Sequence, residues 1–255
     1  MVQPPVWQPV AAREGRPAVN DWAPAMRLLT RFHPATAGTS GTATQPWFPA
    51  VGAGVGLAAW MLACLCVWFG GPRAGAVLAA LCVFAFEGWV TGGRRYGAAV
   101  RLLESVPDGA GGPEASAYIR LAAFQGLVVM KLLCYGVLAA TDRGAWLVVT
   151  GALSSAAVAH SAAAVRPRQS SEAAEVWQTW GHWLVAAAVA AVAGRLGNAL
   201  LPALFSLLLT WILPGVLEPV LGPESREPGT LAWLSLAEAL ALVVLAVGTL
   251  AALAA

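Results

Sequence analysis

Charge is scarce in this chain: 15 basic and 13 acidic side chains are spread over 255 residues, 11% of the total. A water-soluble fold of this size would have no surface left to hydrate, so the soluble globular class is excluded. The net charge of +2 gives no nucleic-acid footprint either, because the basic residues sit in short connecting stretches and not in one patch. Histidine is rarer still, with three copies. His160 and His182 fall in apolar stretches as single imidazoles without companion ligands, which argues against a metal centre built on either. Cys64, Cys66, Cys82 and Cys134 lie inside apolar stretches without CxxC spacing, so neither a zinc site nor a disulfide framework is expected, and the thiols read as small buried hydrophobes. No Ser-His-Asp set, Walker loop or HExxH is present. The N-terminus carries Pro4, Pro5, Pro9 and Pro17 and no apolar core, so it is not a secretory signal and is expected to remain attached.

What is abundant is apolar. Hydrophobic residues make up 58% of the chain, and 27 glycines with many alanines suit helices packed through small residues in lipid. The mean hydropathy is +0.68. A helix needs about 20 apolar residues to cross the hydrocarbon core. The apolar runs predict seven spans, at about 48–69, 75–92, 118–140, 145–165, 177–194, 198–221 and 230–254. The expected fold is therefore all-α, a polytopic transmembrane bundle over 47–255 in the cell inner (cytoplasmic) membrane. A Pro-rich segment at 1–46 precedes it, whose amphipathic piece WAPAMRLLTRF is expected to lie along the interface. Trp177, Trp180 and Trp183 read as an aromatic belt where the fifth span enters the membrane.

Basic residues set the orientation. With the N-terminus cytoplasmic, the inside segments hold Arg13, Arg16, Arg27, Arg31, Arg94, Arg95, Arg101, Arg120, Arg166, Arg168 and Arg226, and the outside holds only Arg73, Arg143 and Arg195. That asymmetry predicts N-inside, C-outside, and a cytoplasmic segment from Gly92 to Ala117.

The predicted spans contain few ionisable groups: Glu87, Lys131, His160, His182, Glu218 and Glu238. A lone charge in hydrocarbon costs several kcal/mol, so each needs a partner, a wet cavity or a place at the boundary. Glu87, about a turn from the end of the second span, and Lys131, near the middle of the third, are expected to pair, either as a structural ion pair or as part of a substrate site. Glu218, beside Pro219 at a helix end, is expected to be solvated. Gly52, Gly54 and Gly56 spell GxGxG, but within an apolar helix with no preceding strand they predict close helix packing and not a dinucleotide turn.

Two phrases, AMRLLTRFHP at 25–34 and WFPAVGAGVG at 47–56, resemble the cobalamin synthase family, the adenosylcobinamide-GDP ribazoletransferases. Thr91, Gly92 and Gly93 stand where that family closes its second helix with TGG. FQGLVVMKLL around Lys131 is similar to its lysine-bearing third helix, and GTLAWLSLAEALAL looks like its last helix, with Glu238 at a matching acid. The resemblance implies an enzyme of late cobalamin biosynthesis. Such an enzyme is a Mg²⁺-dependent transferase that joins α-ribazole or its phosphate to adenosylcobinamide-GDP and releases GMP. The metal neutralises the phosphates while the attacking hydroxyl is held in line.

In the family the carboxylates for that metal follow TGG in an HxDGxxDxxDG run. Here the run reads RRYGAAVRLLES, with Arg95 at the histidine, Gly97 and Arg101 at the first two aspartates, and Glu104 at the third. The family's DSRxG run is replaced by Pro113-Glu114-Ala115, and Gly229 matches a further aspartate. By this resemblance the candidate catalytic residues are Glu104 and Lys131. Gly92, Gly93, Arg94, Arg95 and Arg101 are candidates for substrate phosphates, and Glu104 with Glu87 for Mg²⁺, the expected cofactor if the reaction survives. The exchange of aspartate for arginine repels a cation and attracts phosphate directly. Three functions stay open: the family reaction; a non-catalytic paralogue acting as scaffold, partner subunit, homo-oligomer or binder of a corrinoid, phosphate-bearing ligand or anionic lipid; and transport of a small molecule.

Overall fold

The computed structural model describes residues 22, 25–26, 29–32, 47–104, 112–164, 172–196, 208, 212, 238–239 and 241–251, leaving aside the side chains at 98, 101–102, 112–113, 115, 158, 160–164, 172–179 and 194–196. Helices α1 (Trp47–Thr91), α2 (Arg94–Glu104), α3 (Gly112–Ala140), α4 (Trp146–Ala164) and α5 (Glu172–Leu196) follow in order. A last helical segment, α6, runs over Ala241–Ala251. No strand occurs among the described residues. The expected sixth span, with Glu218, lies outside them apart from two single positions.

Two helices, Trp47–Thr91 and Ser116–Ala140, are long and apolar enough to cross a membrane. The first has 45 residues, which as one straight rod would run about 68 Å, twice the hydrocarbon thickness. It does not stay straight. At Gly71 the backbone takes φ 71° and ψ 177°, a conformation open in practice only to glycine, and Pro72 follows with no N–H to continue the ladder. The arms 47–70 and 72–91 fold back on each other so closely that a methyl group on Gly75 would collide with the backbone of Cys66 and Val67. Each arm has the length of one span, matching the expected runs at 48–69 and 75–92.

The first arm packs on α4 through its glycines. A Cβ at Gly52 would land on the carbonyl oxygen of Gly151 and the side chain of Ser155, one at Gly56 would land on Leu147 and Val148, and one at Gly54 would meet nothing. The GxGxG is thus a packing surface in which two of the three glycines touch a neighbouring backbone.

Small side chains fill the interior while large ones face out. Ala59, Ala63, Ala79, Ala156 and Ala186 belong to the main core with Val83, Leu138, Trp146 and Leu242. Met61, Trp68, Phe69, Leu133, Leu184 and Val192 are exposed. In water such a surface would aggregate, whereas against lipid tails it costs nothing. Cys66 and Cys134 are buried, Cys82 is half-buried, Cys64 is exposed, and all four are free thiols. His182 is buried beside Trp183, with ring centroids 5.4 Å apart. The side chain of His160 is not among those described.

Thr91-Gly92-Gly93 forms a Schellman turn. The Gly93 N–H donates to Gly88 O at 2.9 Å and the Gly92 N–H to Trp89 O at 3.2 Å, with φ of 62° at Gly92 and 70° at Gly93. The two left-handed residues swing the chain so that α2 starts at once and returns toward the bundle. The described part of the amphipathic N-terminal piece docks at this same end. Ala25 and Leu29 bury against Phe48 and Ala159, Arg31 N–H donates to Val90 O at 2.6 Å, and Arg31 and Phe32 both lie against the Trp89 ring. Trp22 and Phe32 face outward, as an interfacial segment requires.

Candidate functional site

Four ionisable side chains from four parts of the chain converge inside the bundle. Glu87 comes from the second arm of α1, Arg95 from the first turn of α2, Lys131 from α3, and Glu238 from the residues just before α6. The side chains are 5%, 2%, 1% and 8% exposed. Lys131 Nζ donates to both carboxylate oxygens of Glu87 at 2.7 Å and to Glu238 Oε2 at 2.9 Å, which uses its three protons. Arg95 Nη1 bridges the same two acids, 3.0 Å from Glu238 Oε2 and 3.3 Å from Glu87 Oε1. The ion pair expected between Glu87 and Lys131 is therefore formed, inside a larger group whose two acids and two bases sum to zero charge.

Two tyrosines complete the shell. Tyr135 Oη donates to Glu87 Oε2 at 2.8 Å and Tyr96 Oη at 3.0 Å. Their rings also flank the ammonium of Lys131, with centroids 5.9 and 5.4 Å away. Neither tyrosine carries a sequence signal of its own, although each stands close in sequence to a charged member of the group. Tyr135 lies one turn beyond Lys131, and Tyr96 follows Arg95 directly. The tyrosine hydroxyls can serve Glu87 only because α2 folds back after the glycine pair and α3 runs alongside.

Arg95, expected on a substrate phosphate, turns inward instead. The Schellman turn places it eight residues after Glu87 in sequence yet beside it in space, and two buried carboxylates hold it there more strongly than open solvent could. Gly92 and Gly93 are committed to the turn, and Arg94 points outward next to it. The backbone of Arg101 belongs to α2, while its side chain is outside the described set. Glu104 is exposed at the last residue of α2, nine residues from Arg95 and thus about 14 Å along the helix axis.

These residues do not fit a resident Mg²⁺. The cation needs hard oxygens free to coordinate it in near-octahedral geometry. Glu87 Oε1 already accepts from Lys131 and Arg95, and Oε2 from Lys131, Tyr96 and Tyr135. Glu104 stands too far along α2 to share an ion with Glu87. Among the described residues no three of His, Cys, Asp and Glu gather around a common point. A cavity of about 20 Å³ touches Glu87, Arg95, Tyr135, Thr150 and Glu238, which is room for one water molecule and far too little for a nucleotide or corrinoid. No family model, curated protein or solved structure matches this chain.

Proposed function

We propose that this chain is a multi-span protein of the cytoplasmic membrane, built in the helix order of the cobalamin synthase family and acting as a non-catalytic member, a membrane scaffold or partner subunit. One observation carries the reading: the carboxylate of Glu87 is saturated by Lys131, Arg95, Tyr96 and Tyr135. An enzyme that gathers a cation at that end of the bundle needs uncommitted acids. This chain has a closed, neutral set with Gly97 and Arg101 at two of the motif's aspartate positions. The purified chain in detergent, given adenosylcobinamide-GDP, α-ribazole and Mg²⁺, is expected to yield no detectable adenosylcobalamin. Turnover that vanishes in Glu104→Ala would overturn the reading and make Glu104 a metal ligand.

The proposal includes seven spans with the N-terminus inside. It is supported by the back-folded arms of α1, the apolar exterior, and the excess of arginines in the segments assigned to the inside. A periplasm-active reporter fused after Ala255 is expected to be active, and one inserted near Asp108 silent. The reverse pattern would invert the orientation.

A further inference from the structure

On the face of α3 beside the charge cluster, and running from there toward the Arg73 and Arg143 end of the bundle, the second arm of α1 and α3 meet over small residues and leave a groove of about 540 Å³. Its lining is wholly apolar, with Ala76 and Ala80 facing Gly136 and Ala140, and Leu81 and Leu133 on the rims. The volume is that of a ligand site and not of a packing flaw. With no polar group in the walls, the occupant must be hydrocarbon along its whole buried length.

Two measures decide between a lipid chain and a helix of another protein. The α3 residues lining the groove run from Val129 to Ala140, about 17 Å of helix axis, which is one leaflet of a hydrocarbon core about 30 Å thick. A partner helix would need a seam through the full thickness, whereas an acyl chain needs one leaflet. The second measure is charge. Arg73 stands three residues before Ala76 and Arg143 three residues after Ala140, so both arginines flank the same mouth of the groove. The closing turn of α3 keeps Arg143 there, through its own N–H donated to Leu138 O at 2.8 Å and that of Thr141 to Val137 O at 3.0 Å. Asp142 is the one carboxylate beside them among the described residues, leaving that mouth net positive.

We infer that this groove is a phospholipid site, with one acyl chain against Ala76, Ala80, Gly136 and Ala140 and an anionic headgroup between Arg73 and Arg143. The inference rests on the bundle sitting in a bilayer and is independent of whether the chain is catalytic. The full chain, purified in detergent and stripped of lipid, is titrated with dioleoyl phosphatidylglycerol or dioleoyl phosphatidylcholine and read by native mass spectrometry. One phosphatidylglycerol is expected to add per chain in preference to phosphatidylcholine. The surface variant Arg73→Gln/Arg143→Gln should lower its affinity about tenfold or more, and Gly136→Leu, which fills the groove floor, should weaken both lipids. Equal binding of the two lipids, or no change in the double-arginine variant, would overturn the site. Dimers appearing in place of lipid adducts would also overturn it and give the groove to a second copy. A chain that stays dispersed in water without detergent would instead overturn the membrane reading beneath it.

Discussion

Lys131→Met is expected to destabilise the folded chain by about 3–5 kcal/mol, the usual cost of removing one partner from a buried ion pair. Methionine fills nearly the same space, so the loss is electrostatic. Arg95 alone would face Glu87 and Glu238, and one negative charge would be left without compensation where the four side chains are all at most 8% exposed. Adding Glu87→Gln to that variant restores neutrality, so the double variant should regain most of the loss even though it lacks two of the four charges. Unfolding of the purified variants in mixed micelles, followed by circular dichroism, measures both steps. A single variant within about 1 kcal/mol of the parent, below the range for a broken buried pair, would mean that the cluster is open to water.

Gly52→Ala and Gly54→Ala should behave oppositely although the residues are two apart. The methyl at Gly52 would occupy the place of the Gly151 carbonyl oxygen, and backbone facing backbone cannot yield by a rotamer change. The first arm of α1 and α4 must separate, at about 3 kcal/mol, the upper end of the overpacking range. The methyl at Gly54 meets nothing within 4 Å, so only the helix preference for alanine remains, a gain of about 0.5–1 kcal/mol. Melting temperatures of the two variants side by side test this, and equal shifts would contradict the packing register of the two helices.

Much of this arrangement was legible in the sequence because a chain so apolar and so poor in charge leaves few options. Apolar runs of span length gave the positions of α1, α3, α4 and α5, and Gly71-Pro72 stands between two runs that each have the length of one span. Glu87 and Lys131 could be paired on paper because each is costly alone and only a handful of ionisable groups compete. Arg95 could not be read the same way. It sits three residues past the end of its span, in what looks like a solvated loop, and only the two left-handed glycines bring it back under the helix it follows. Glu238 is 107 residues from Lys131, a distance over which periodicity says nothing and crossing geometry decides everything. The groove beside α3 was invisible for a related reason: its lining looks like any other apolar stretch until Ala76 and Ala80 are seen to lie against Gly136.

The cluster also implies an order of events during synthesis. When α3 has been synthesised, Glu87, Arg95 and Lys131 are all present and carry one surplus positive charge. The balancing acid, Glu238, is still 107 residues away, on the order of 5–20 s of elongation at about 5–20 residues per second. For that interval the nascent chain holds an uncompensated cation among these residues, and Glu238, just before α6, is the described acid that cancels it. A chain truncated before residue 238 therefore keeps an internal positive charge that the finished protein neutralises.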